Sequence, residues 1–121
     1  MVAINFQGMW EPLIRQGTKR QTIRKTARCK MGDTLQLYTG QRTKDCRLIG
    51  TAICQHVESI VIAEDYLATG YYRIPAGDAH AIAQIDGFED VENMRNWFRD
   101  QYGSLPFEGV RIMWASFQEH K

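Results

Sequence analysis

Gln16-Gly17-Thr18-Lys19-Arg20-Gln21-Thr22-Ile23-Arg24-Lys25-Thr26-Ala27-Arg28-Cys29-Lys30-Met31-Gly32-Asp33 is the stretch around which the chain is organised. Between Lys19 and Lys30 it carries Lys19, Arg20, Arg24, Lys25, Arg28 and Lys30 with no acid among them. Such a run repels itself. A merely solvated face would be expected to interleave acids as partners, so an anionic ligand such as phosphate is a physical reason for the run. Gln21-Thr22-Ile23-Arg24 reads as a short strand with Ile23 inward and Thr22 and Arg24 together on the opposite face. Lys19 precedes it by a few residues, and a lysine this close to a threonine hydroxyl can form a nucleophile and its activator.

Upstream, Val2-Ala3-Ile4-Asn5-Phe6 is short and β-prone and reads as a first strand ended by Gly8. In Trp10 to Gly17, Pro12 suits the first turn of a short helix and Gly17 its stop. Downstream, Thr34 to Thr39 follows the turn pair Gly32-Asp33 and alternates, with Leu35, Leu37 and Thr39 on one face, a strand signal. A polar loop, Gly40 to Asp45, leads into Cys46 to Ile62, a long β segment broken by Gly50, a bulge or bend, and by the polar run around His56.

Beyond this, Tyr71-Tyr72-Arg73-Ile74 before Pro75 is either a short strand or an aromatic loop, and Ala79 to Ile85 reads as a helix stopped at Gly87. Val91, Met94, Trp97, Phe98 and Tyr102 recur at helical spacing, with Glu89 and Asp90 at the favoured acidic end and Gly103 past the other. Val110 to Phe117 alternates and reads as a closing strand. Strands thus fall in both parts of the chain, with helices after the first and before the last. Without regular strand-helix alternation a parallel sheet is disfavoured, and a small, largely antiparallel barrel with helices packed on it is expected.

The 121 residues are expected to form one domain with a single core. A formal net charge of +1 hides an asymmetry. Residues 1–49 hold ten Lys/Arg against Glu11, Asp33 and Asp45, whereas residues 50–121 hold five against eleven acids. A protein that coats duplex nucleic acid would be basic overall. A local basic site on a neutral body fits a nucleoside, a nucleotide or a short single strand better. Three cysteines, Cys29, Cys46 and Cys54, lack metal-ligand spacing, so reduced thiols and no metal are expected. With no leader and no apolar run of membrane-spanning length, the expectation is a cytoplasmic, soluble protein without a membrane partner.

Several of these features occur together in one order: Gly17-Thr18-Lys19-Arg20-Gln21-Thr22-Ile23-Arg24, then Gly32-Asp33 opening a strand, then Asp86-Gly87-Phe88 before a helix with Trp97-Phe98 that ends at Tyr102-Gly103. In this the chain resembles the ASCH domain family, whose α+β fold is similar to the PUA RNA-binding barrel. The likeness spans roughly residues 4–117, and implies a single ASCH domain over 1–121. The family is functionally mixed. Some members bind nucleic acid, some have been proposed to cleave RNA, and small bacterial members are amidohydrolases on N4-acetylcytidine that use a Lys, a Thr and a Glu. The resemblance carries the first two onto Lys19 and Thr22. The acid would precede the last helix, where this chain offers Asp86, one methylene shorter, with Glu89 three residues on.

Hydrolysis of an exocyclic amide needs a nucleophile, a group that takes and returns a proton, and something to hold the oxyanion. Thr22 supplies the hydroxyl. Lys19 serves as base if burial and neighbours such as Arg24 lower its pKa, and Asp86 or Glu89 orients it or handles the leaving amine's proton. Arg24 is expected to hold the ligand, with Phe6, Trp10 and Tyr38 as stacking candidates. Trp97, Phe98, Trp114 and Phe117 read as core. The first functional expectation is therefore a cofactor-free, metal-independent amidohydrolase acting on N4-acylated cytidine or cytosine. The alternative, favoured by the wider cationic surface that includes Arg42, Lys44 and Arg47, is an RNA-binding module, with ribonuclease activity as a variant.

Overall fold

In the computed structural model, which describes residues 1–70 and 72–121, seven strands form one mixed sheet carrying three α-helices. The order is β1 (Val2–Phe6), a 3-10 turn (Gly8–Trp10), α1 (Glu11–Gln16), β2 (Gln21–Arg24), β3 (Thr34–Thr39) and β4 (Arg47–Ile62). Then come β5 (Leu67–Thr69), β6 (Tyr72–Ile74), α2 (Ala76–Ile85), α3 (Val91–Tyr102) and β7 (Phe107–Glu119). Tyr72 to Ile74 is thus a strand, while Tyr71 lies outside the described residues. The alanine-rich helix begins at Ala76 rather than Ala79, and the short β5 had no periodic signal to announce it.

Most ladders are antiparallel, but β1 runs parallel to β3. The chain between them crosses over through α1 and β2, so the first strand is added to the sheet from outside. β4 is the backbone of the architecture. Its first half pairs with β3, its last two residues, Val61 and Ile62, with β5, and β7 runs along nearly its whole length. Among the described residues β2 pairs with β7 alone. The sheet curls into a half-barrel, and its β1 and β2 edges are joined across the seam by the Arg24 guanidinium, which donates to the Asn5 carbonyl.

The curl has identifiable causes. β4 is continuous rather than broken, and its irregularities are bulges. Pairing with β3 jumps from Leu37↔Gly50 to Tyr38↔Leu48, leaving Ile49 as the extra residue. Pairing with β7 jumps again between Cys54 and His56. Each bulge bends the strand and increases its twist. Gly50 is required at the first for space, because a Cβ there would stand 2.4 Å from the Gln118 carbonyl oxygen.

The bends divide the core into two clusters. One gathers Ile4, Phe6, Trp10, Ile14, Leu35, Leu37 and Trp114. The other gathers Ile23, Ile60, Ile62, Met94, Phe98 and Phe107. Phe88 and Trp97 pack against both. Cys29 and Cys54 are buried together in the first cluster as free thiols, and burial with the neighbouring Cys29 pushes Cys54 up to about 11. No helix among the described residues is long and apolar enough to cross a membrane.

Candidate active site

The junction of the two clusters is a pocket of about 180 Å³ whose walls include Phe6, Trp10, Lys19, Thr22, Arg24 and Asp86. Lys19 is carried there by three backbone hydrogen bonds. Its own N–H donates to Leu13 of α1, the Arg20 N–H donates to Ile85 at the end of α2, and the Arg20 carbonyl accepts from Trp114 of β7. The loop is thereby clamped between two helices and the sheet, with the lysine side chain turned inward.

Inside, Lys19 is only 3% exposed and Asp86 likewise 3%. The Lys19 Nζ donates to the Asp86 backbone carbonyl at 2.7 Å and lies 3.4 Å from the Asp86 Oδ1. The same Oδ1 accepts from the Gln21 Nε2 at 3.2 Å. Burial pushes the Lys19 amine below the ordinary lysine value, the Asp86 charge resists this, and Arg24 adds to it. Burial pushes the Asp86 carboxyl above its ordinary value, against the attraction of Lys19 and the Gln21 hydrogen bond. The two pKa values are thus driven toward each other. Both shifts lower the cost of moving a proton between these groups relative to water.

The Asp86-Gly87-Phe88 sequence has a local explanation. Asp86 caps α2, and Gly87 follows with φ 105°, the left-handed conformation that ends a helix and favours glycine. A Cβ on Gly87 would stand 2.9 Å from the Trp10 Cζ3. The glycine therefore lets Trp10 lie against the α2 terminus, and Trp10 in turn carries the Lys19 Nζ 4.6 Å above its ring centroid. Gly87→Ala should lower stability by roughly 1–3 kcal/mol through combined strain and overpacking. Denaturant unfolding checks this as a lower midpoint at an unchanged m-value.

β2 presents Thr22 and Arg24 to the pocket, and Ile23 between them reaches its wall as well. Thr22 is nevertheless only 5% exposed, since it looks onto aromatic walls rather than bulk water. The one hydrogen bond seen for the Lys19 amine goes to Asp86, not to Thr22. Arg24 lies 5.1 Å from the Phe6 centroid, and its Nε is buried without a partner.

Two of the candidates are not brought here. Glu89 is exposed on the loop before α3, where its carboxylate accepts from Asn93. Asp86 is the acid in the pocket. Tyr38 sits half-buried on β3 beside Asn5 in the β1 ladder and is not part of the wall. Phe6 and Trp10 do line it, but their ring faces carry the cations of Arg24 and Lys19, so they act as platforms for those charges. Arg47 and Arg15 are both taken up by Glu11, which narrows the free cationic surface.

Other residues of the site lacked a clear sequence signal. Trp97 and Phe98, read as core, also line the pocket, as do Phe88 and Tyr102. Amides line it too: Gln7, whose Nε2 lies 3.4 Å from the Gln101 Oε1, and Asn5. Gln21 could have been found. It shares the face of Ile23 in β2, and a core-facing amide needs partners, which its Nε2 finds in the Ile82 carbonyl and Asp86 while its Oε1 has none among the described residues. Among the described residues no cluster of three or more His, Cys, Asp or Glu could hold a metal ion.

No protein-family model matches the sequence, and no curated protein does. Solved structures do. The chain is similar to the crystal structure of ASCH from Zymomonas mobilis, with a TM-score of 0.63 and 12% identity over 97% of this chain and 68% of that one. A tyrosine-to-phenylalanine mutant of that protein gives 0.60 and 11%, covering 97% and 70%. Its serine-to-alanine mutant gives 0.58 and 13%, covering 97% and 68%. At such identities the likeness is one of architecture, and the chain has the α+β, PUA-like fold of ASCH domains.

Proposed function

We propose that the protein is a metal-independent amidohydrolase that removes the acyl group from N4-acylated cytidine or cytosine. The observation that carries this reading is the Lys19–Asp86 pair, buried in the wall of an aromatic pocket that Thr22 also lines. A structural ion pair would be equally buried. Its place in the wall of a cleft, beside a hydroxyl and a guanidinium, is what favours a functional reading.

In this mechanism the neutral Lys19 amine takes the hydroxyl proton as the Thr22 Oγ1 bonds to the acyl carbon and the carbonyl electrons move onto oxygen. Arg24 is the cation in the wall that can stabilise that oxyanion. When the C–N4 bond breaks, the Lys19 ammonium returns its proton to N4, and cytidine leaves an acyl ester on Thr22. A water molecule, deprotonated by Lys19, then attacks the ester. The carboxylic acid departs and the hydroxyl regains its proton. Asp86 holds Lys19 on the Trp10 face throughout and supports the transient ammonium.

Incubation with N4-acetylcytidine tests the reading directly. Cytidine and acetate should appear, unchanged by a chelator. No release at enzyme excess would overturn the proposal, and activity lost to chelator and restored by zinc would overturn its metal-free form.

The pH profile gives a second check, because only the neutral amine is a base. The rate should rise with pH through a Lys19 value below the ordinary lysine range. Arg24 holds that value down and Asp86 holds it up. Arg24→Gln should therefore move the rising limb of kcat/KM to higher pH, and Asp86→Asn should move it lower. Limbs that shift together, or not at all, would remove Lys19 as the base.

The second reading, an RNA-binding ASCH module with or without ribonuclease activity, draws on the exposed cations Arg20, Lys25, Arg28 and Lys30 beside the pocket.

A further inference from the structure

The pocket that holds Lys19 and Thr22 is small. At about 180 Å³ it falls below the roughly 300 Å³ at which ligand pockets begin. It takes a base-sized group, and the rest of any nucleoside must leave it. A second cavity of about 280 Å³ adjoins it, and Asn5 and Arg24 belong to the walls of both. This second cavity lies at the seam of the half-barrel, between β1 and the segment Thr26 to Cys29 that follows β2, and among the described residues β1 pairs with β3 alone and β2 with β7 alone. Edge strands leave backbone groups that need partners.

Its polar lining comes from Arg24, Arg28, Thr26, Asn5 and Gln41, without an acid. Arg24 stands at the boundary with a buried Nε that has no partner. Gln41 is fixed by its backbone N–H, which donates to the Asn5 Oδ1 at 2.9 Å. Two guanidinium groups, a hydroxyl and two amides without an opposing carboxylate make the lining cationic, and guanidinium geometry suits phosphate.

We propose that this cavity is a phosphate subsite, which takes a phosphate monoester on the ribose of the cytidine whose base occupies the first pocket. The substrate would then be an acylated nucleotide rather than a free base. The inference rests on the reading of the first pocket as a cytosine site. Arg28, with the positive field of the Arg24 guanidinium shared between the two cavities, favours the nearly two negative charges of a monoester over the single charge of a strand's diester. A bounded cavity suits one phosphate, whereas a strand needs a groove.

Calorimetric titration with unacylated ligands tests this without requiring turnover. Cytidine, its 5′- and 3′-monophosphates, inorganic phosphate and a short oligocytidylate without terminal phosphate are compared. One of the monophosphates should bind about tenfold more tightly than cytidine, the factor a charge-assisted hydrogen bond provides. Arg28→Gln, an exposed position whose folding circular dichroism can verify, should erase that gain, and added salt should reduce it. Equal affinities for cytidine and both monophosphates would overturn the subsite, and so would an oligonucleotide that binds more tightly than either. Hydrolysis of N4-acetylcytidine without any phosphate gain would sink the subsite alone, whereas a phosphate gain without hydrolysis would sink the amidohydrolase alone.

Discussion

Thr22→Ala should lower kcat on N4-acetylcytidine by about a thousandfold or more while changing substrate affinity little, because it removes the attacking atom and leaves the pocket walls in place. Thr22→Ser keeps the hydroxyl and should keep measurable turnover. The small volume change on a β2 residue that is paired on one side only should be absorbed without unfolding. Single-turnover kinetics on variants verified by circular dichroism separates chemistry from binding. Near-normal chemistry in Thr22→Ala would refute the nucleophile and return the pocket to the binding-module reading. Glu89→Gln serves as a control, since the fold turns that carboxylate toward Asn93, and its rate should match that of the unaltered protein.

Lys19→Met should act on rate and stability together. Loss of a positioned base costs roughly 10²- to 10⁴-fold in rate. Removing one member of a buried pair typically costs about 3–5 kcal/mol, because the remaining charge is left uncompensated. The pH dependence follows from Asp86. Its folded pKa is already raised by burial, and Lys19 is what opposes the rise. A carboxyl with a raised folded pKa binds its proton more tightly folded than unfolded. Stability therefore falls as pH rises from the ordinary value of 3.8 through the raised one. Lys19→Met should consequently be most stable in mild acid and lose stability more steeply than the unaltered protein toward neutrality. Adding Asp86→Asn should recover part of the loss at neutral pH. Denaturant unfolding across pH measures both effects, and a flat difference between variant and unaltered protein would show that the pair carries no charge.

Much of this was legible because it is written in local periodicity and local sterics. β2, β3 and α3 follow from alternation or helical spacing, and α1 from Pro12 and Gly17. α3 has the Asp90 side chain accepting from the Asn93 N–H at one end and Gly103 at φ 86° at the other, both features of its own sequence. The basic stretch with Lys19, Thr22 and Arg24 was legible for the same reason, since these residues are neighbours in the chain and the strand period alone puts the last two on one face.

The remainder depended on contacts between residues far apart in sequence, which no local pattern records. Asp86 and Glu89 are equivalent on the page as acids before a helix. The bond from the Arg20 N–H to the Ile85 carbonyl docks the end of α2 on the lysine loop, and this brings Asp86 inward and leaves Glu89 in water. Trp10 and Tyr38 were equally plausible as stacking residues. The turn after β1 folds Trp10 beneath Lys19, while Tyr38 stays on β3 outside the pocket. The sequence by itself determined most of the elements and placed Lys19, Thr22 and Arg24 together on one short stretch. Only the tertiary structure decided which acid meets the lysine, because burial and proximity, which set both pKa values, are properties of the packed chain.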